Sequence, residues 1–441
     1  MENRELLKKA GPIISARLVQ NLGMFIGSLM VAQLGKTALA ASALATSVGL
    51  TCFTFAGSSL QILSPMISRH DSDAQDARFA VFNRGFWAAT ALGTACAILL
   101  SLSTLTLKWW PTTPEIQELL QDYFLYLSPG FLPMLWTGVL QQYLLGTKRA
   151  HFVFYYAVAR LIVGTLISYL FIFGIPGVIP GYGFHGLAAG ITAGSIVSCL
   201  ALAVVVFRQP EFSQVRLTQV FRFDPTFIEL FKKALPIGFQ ACLELAAFAA
   251  GVQLISPLGE AALGAHQIVF QYVMLSTMVP YGICAATALC VGEALGKQNR
   301  EKALKFTHWG LIYSVAFTGF FSLIYVTMPD ALAHLFLRSH YESAGKTLVV
   351  LRDYFKIIAV YQVLDGIRLN YIGALRGALH TREALKTSIL AFWVIGLPLA
   401  AFLIHSQGRG ALALPFSLTV GMLVGTVSIY GYYKKGNEKS D

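Results

Sequence analysis

Lys8-Lys9-Ala10-Gly11-Pro12-Ile13 returns as Lys232-Lys233-Ala234-Leu235-Pro236-Ile237. Further on, Leu34-Gly35-Lys36-Thr37-Ala38-Leu39-Ala40-Ala41 returns as Leu258-Gly259-Glu260-Ala261-Ala262-Leu263-Gly264-Ala265. Positions 8 and 232 differ by 224, as do positions 34 and 258, so no gap separates the two matches. The chain therefore reads as two copies of one unit. Duplicated helical bundles are a recurrent architecture of membrane transporters.

Composition decides the solvent. Hydrophobic residues make up 56% of the chain and charged residues 12%, against about 25% charged in soluble domains. Mean hydropathy is +0.62. A helix needs about 20 apolar residues to cross the hydrocarbon core, and twelve such runs lie near 11–33, 44–67, 85–107, 119–146, 152–174, 185–207, 229–256, 263–292, 307–328, 348–374, 387–404 and 411–432. The runs are continuous rather than alternating, which excludes an outer-membrane barrel. The expected fold is an all-α membrane protein of twelve spans. It forms two pseudo-symmetric lobes of six helices facing a central cleft: 1–208, a cytoplasmic linker at 209–225, and 226–441.

The net charge of +11 follows the topology. Lys8-Lys9, Arg69, Arg78, Lys148-Arg149, Lys232-Lys233, Lys297, Arg300, Arg382 and Lys434-Lys435 share one side of a twelve-span chain. Only Lys36, Lys108, Arg338, Lys346 and Arg409 oppose them. Basic loops stay in the cytoplasm, so both termini are expected there, in a multi-pass protein of the cell's inner membrane. Anionic lipid, not nucleic acid, is the expected contact of these cations. The six cysteines sit in apolar runs without metal-ligand spacing and read as packing residues.

Carboxylates inside spans are expensive and mark function by default. Glu244, in Cys242-Leu243-Glu244-Leu245-Ala246-Ala247, and Asp365, in the tenth span, stand out. Low dielectric disfavours the charged carboxylate. Each acid can thus carry a proton, hold a sodium ion or pair with a cationic compound, and competition among these is a mechanism of exchange. The opposing reading makes either acid structural; Arg368, three residues beyond Asp365, is a partner at helical spacing. Tyr361, Gln271, Tyr272 and Tyr281 are candidate cavity-lining positions. So is Gln20, the equivalent of Glu244 in the first copy. Glu293, near the cytoplasmic end of the eighth span, reads as a solvated or helix-end residue.

The order and spacing of several motifs resemble the multidrug and toxic compound extrusion (MATE) transporters over about residues 5–432. They are Leu235-Pro236 with Glu244, Gly264-Ala265-His266-Gln267-Ile268, Pro280, and Val291-Gly292-Glu293-Ala294-Leu295-Gly296. Tyr361-Gln362-x-x-Asp365-Gly366, Leu375-Arg376-Gly377 and the run Gly183–Gly190 complete the set. The resemblance implies alternating access between two lobes and export of amphipathic, often cationic compounds in exchange for inward H⁺ or Na⁺. No other cofactor is implied, and acids at the positions of Glu244 and Asp365 serve coupling or substrate binding. Many prokaryotic members carry an aspartate in the first span, where this chain has Gly27 or Ser28, with polar partners in the fifth, where it has Gly164 and Ser168. That departure moves the expected coupling site to the C-terminal lobe.

The alternative function is a flippase for lipid-linked oligosaccharide or lipid, which calls for a cationic cavity; Arg17, Arg160 and Arg368 are its candidates. No Gly-x-x-x-x-Gly-Lys-Ser/Thr occurs, which argues against ATP hydrolysis, and no His-x-x-x-His argues for a membrane enzyme. Two lobes already enclose a cavity, so a monomer suffices.

Overall fold

The computed structural model describes residues 2–70, 74–175, 180–212, 223–335, 344–406 and 410–438. The inner ten positions of the expected linker, 213–222, lie outside them, as do Arg338 and Arg409. Eleven helical spans among the described residues are long and apolar enough to cross a membrane. They are α1 (Glu2–Ala32), α2 (Lys36–Ser68), α3 (Gln75–Trp109), α4 (Pro114–Gly146), α5 (Ala150–Phe173), α6 (Gly183–Phe207), α7 (Phe227–Leu258), α8 (Glu260–Gly296), α9 (Arg300–Thr327), α11 (Thr381–His405) and α12 (Ala413–Gly436). A further long helix, α10 (Ala344–Gly377), has the length but carries Lys346, Arg352, Asp353, Lys356, Asp365, Arg368 and Arg376. The tenth expected span is thus a helix whose polar content is its distinguishing feature.

The duplication is written into the backbone. Gly35 has φ 103° and Gly259 has φ 99°. Both precede the first residue of a helix, α2 and α8, in a conformation a side chain would strain. Close packing repeats too. A Cβ on Gly146, at the end of α4, would lie 2.7 Å from Ile67 Cβ and 2.9 Å from the Ser64 carbonyl. A Cβ on Gly377, at the end of α10, would lie 2.8 Å from Val291 Cβ and 2.7 Å from the Ala288 carbonyl. Ser64 and Ala288, like Ile67 and Val291, are 224 positions apart. The turns that follow these glycines also match: Lys148 and Leu379, two residues on, take φ 64° and 63°. In each, an amide bonds five residues back, Arg149 to Leu144 and His380 to Leu375, the closure of a helix C-terminus by a left-handed residue.

The chain forms two compact units. Ser15–Gly238 make one; residues up to Ile14, together with Phe239–Asp441, make the other. Both borders fall inside helices, two residues beyond Pro12 and Pro236, whereas the sequence alone puts the division in the linker. Contacts within each unit explain this. Lys9 Nζ lies 2.9 Å from Glu293 Oε2 and 3.3 Å from Glu5, and Ile14 packs on Gly282. Glu293 is therefore buried and ion-paired rather than solvated. At the start of α7, Arg84 Nε donates to Asp224 at 2.8 Å, and Gly238 packs on Ser59 and Phe55.

One further irregularity bears on the site. The middle of α11, Ile389–Gly396, is π-helical. Such wide turns are uncommon and concentrate at functional positions.

Candidate functional site

Glu244 lies on α7, Asp365 and Arg368 on α10, and Ser388 on α11 at the edge of the π-helical stretch. All belong to the same unit. The guanidinium of Arg368 joins the two acids. Its Nη1 donates to Glu244 Oε1 at 2.8 Å, and its Nη2 and Nε donate to Asp365 Oδ1 at 2.8 and 3.1 Å. Ser388 Oγ donates to Glu244 Oε1 at 2.7 Å and receives Arg368 Nη1 at 3.1 Å. Gln240 Nε2, one helical turn before Glu244, donates to the same oxygen at 3.1 Å, and Tyr281 Oη donates to Oε2 at 3.3 Å. Arg376 Nη2 in turn donates to Gln240 Oε1 at 3.2 Å. The Arg368 guanidinium also stands 5.6 Å from the Phe392 ring centroid, within cation–π range.

Burial makes this arrangement expensive unless fully bonded. Arg368 is 1% exposed, Asp365 5% and Glu244 8%. Buried ions need both charge partners and hydrogen bonds, and charge-assisted bonds are the strong ones. One guanidinium answers two carboxylates, so the triad carries a single negative charge when both acids are ionised. A proton or a monovalent cation neutralises it.

A cavity of about 20 Å³ opens on the triad, lined by Glu244, Asp365, Arg368, Tyr281, Tyr361 and Phe392 among others. A second of about 20 Å³ continues from it along α8 and α10, sharing Phe248, Val273 and Tyr361 and reaching His266 and Tyr354. Each holds about one water, whereas pockets for drug-sized ligands run to several hundred Å³.

Tyr281, Tyr361 and Arg368 thus meet Glu244 and Asp365 around one cavity. Gln271 and Tyr272 do not join them. Val269, Val273 and Thr277 form the cavity-facing stripe of α8. Gln271 lies two residues, about 200°, away from Val273 around the helix and is exposed. The Tyr272 hydroxyl donates to the Leu332 carbonyl at 2.9 Å. Gln20 is exposed and belongs to the other unit.

Sequence reading missed Gln240, Ser388, Phe392 and the His266–Tyr354 pair. Gln240 had a signal, a polar amide one turn before a buried acid. Ser388, 144 residues from Glu244, had none. The first copy offers no second triad. Its equivalent of Glu244 is Gln20, and the spacing of Lys148 and Leu379 pairs Asp365 with Met134 and Arg368 with Thr137.

Comparison with known proteins agrees with the duplication. The MatE family pattern matches twice, at residues 12–170 and 236–402, and the two matches begin 224 positions apart. The chain is 27% identical to a probable multidrug resistance protein NorM of Brucella suis, over 94% of this chain and 89% of that protein. It is 28% identical to one of Deinococcus radiodurans, over 98% and 95%. Among solved structures, its fold resembles a MOP superfamily transporter from Pyrococcus furiosus, described by a binding pocket of reverse polarity. The TM-score is 0.85 at 18% identity, over 98% of this chain and 95% of that one. It also resembles the eukaryotic MATE transporter AtDTX14, with TM-score 0.84 at 17% identity over 99% and 98%. With the pattern covering most of both copies, the chain belongs to the MatE family of transporters.

Proposed function

We propose that this protein is a secondary active exporter of amphipathic, mostly cationic compounds. It sits in the cell's inner membrane with both termini in the cytoplasm and takes in H⁺ or Na⁺ in exchange. The multidrug resistance relatives support export of such compounds. The observation that carries the coupling is the guanidinium shared between two buried carboxylates. With both acids ionised the triad has an unbalanced negative charge in a low-dielectric core, and binding one H⁺ or Na⁺ removes it. The adjoining cavity has the size for a water or an ion rather than for a drug. Alternation between the occupied and the empty triad would then be linked to substrate release.

The test is efflux of an ethidium-like cation from proteoliposomes under an imposed proton gradient and, separately, a sodium gradient. Glu244→Gln is expected to abolish gradient-driven efflux while leaving reconstitution intact, and the gradient that drives the wild type names the ion. Full activity in Glu244→Gln would sink the assignment of this site. Absence of wild-type efflux under both gradients would favour the flippase reading.

A further inference from the structure

The second cavity poses a question that the triad does not answer. His266 is 5% exposed, and its Nδ1 lies 2.6 Å from the Tyr354 hydroxyl. Its Nε2 is buried with no partner within the protein. Whichever tautomer is present, one ring nitrogen is unsatisfied, at a penalty of about 1–3 kcal/mol. The ring borders a cavity with room for about one water. Water there would satisfy Nε2 and would also border Tyr361, which lines both cavities.

Helical spacing extends the connection. Tyr354, Ile358, Tyr361, Asp365 and Arg368 recur at intervals of three and four along α10, one face of the helix. His266, Val269, Val273, Thr277 and Tyr281 do the same along α8. These two faces line a seam from His266–Tyr354 to the triad, polar at its two ends and mostly apolar between them, its ends about 20 Å apart along α10. The cavity residues around His266 from the other helices are apolar: Phe248 of α7 and Leu418 of α12. Those from α10 are Tyr354, Ile358 and Tyr361, and on α8 itself Val269, Phe270 and Val273. The tyrosines are therefore the titratable groups that line this cavity with His266.

We infer that His266 is a proton-relay residue, passing protons between the external side of α8 and Asp365 through cavity water and the Tyr361 hydroxyl. Water that enters the cavity from the external side protonates the buried Nε2, and the ring becomes an imidazolium. It releases that proton to the cavity water. The Tyr361 hydroxyl accepts one proton from the water as it gives its own toward the carboxylate of Asp365. Histidine returns to neutral and the carboxylate becomes a carboxylic acid, so one proton has moved and no bond other than O–H and N–H has changed. Tyr354 acts as a positioning residue that fixes the imidazole through Nδ1.

This inference rests on proton coupling at the triad, and the two are separable by experiment. In proteoliposomes, His266→Gln is expected to lower H⁺-driven efflux by about tenfold or more. It should flatten the dependence on external pH and leave substrate counterflow, which needs no net proton movement, unchanged. Tyr354→Phe keeps the imidazole and removes its anchor; its pH profile is expected to move while counterflow stays. Wild-type efflux and an unchanged pH profile in His266→Gln, alongside a dead Glu244→Gln, would overturn the relay and spare the coupling site. If His266→Gln loses counterflow as well, Tyr354→Phe decides, and an unmoved profile there overturns the relay. Wild-type efflux driven by Na⁺ alone overturns it outright. Activity in Glu244→Gln would instead remove the coupling site.

Discussion

Arg368 holds Glu244 and Asp365 together from a position almost without solvent. Its removal is worse than removal of an acid, because it leaves two carboxylates buried without a counter-charge. Breaking a buried ion pair from one side costs about 3–5 kcal/mol. Arg368→Met should therefore lower the melting temperature of the detergent-solubilised protein markedly. Adding Glu244→Gln in the same chain should recover part of the loss, since one of the stranded charges is gone. A double variant no more stable than the single one would contradict the shared-guanidinium account. The sequence reaches part of this cluster. Glu244 and Asp365 stand out as acids in apolar surroundings, and Arg368 is visible as a neighbour of Asp365 at helical spacing. Its bond to Glu244 is not visible, because 124 residues separate them and only the tertiary packing of α7 on α10 closes that gap.

Among the helices, close approach and end anchoring set the geometry. Gly377 lets α10 lie against the Ala288 carbonyl of α8, the small-residue packing that membrane helices favour. Gly377→Val should cost about 1–3 kcal/mol by overpacking, read as a lower melting temperature. The repeat-equivalent Gly146→Val should act alike, since Gly146 meets Ile67 and Ser64 in the same way. At the start of α7, the hydrogen bond from Arg84, then those from Thr226, hold the Asp224 carboxyl down at about 2, below its ordinary 3.8. A depressed carboxylate stabilises the fold above its unfolded value and loses that contribution as pH falls toward its folded one. The contribution is thus full above about pH 4 and fades toward about pH 2. Asp224→Asn should melt lower than the wild type at pH 6, with the difference shrinking as pH drops through that window. A constant difference down to pH 2 would refute the link. Eleven of the spans were legible as apolar runs, α10 being the exception. The π-helical stretch of α11 was not, since Ile389–Gly396 is uniformly apolar and nothing in that run distinguishes a wide turn from a regular one.

For the molecule as a whole, the distribution of lysine and arginine is the property to test. Reporter domains fused to either end should be active only in the cytoplasmic form; an external reading at one end alone would mean an odd number of spans. The duplication was legible from two ungapped stretches, and the family from the order and spacing of motifs such as Tyr361-Gln362-x-x-Asp365-Gly366. The borders of the compact units were not, because they depend on which helix each first turn packs against. Residues up to Ile14 complete the unit built mainly from the second copy, and α7 up to Gly238 completes the unit built mainly from the first. Equal segments exchanged between equal copies are the arrangement of a domain-swapped dimer, here with both partners on one polypeptide. Neither half is then a self-sufficient folding unit. A fragment of residues 226–441 would bury Glu293 without Lys9, and only supplying the other half would restore the pair.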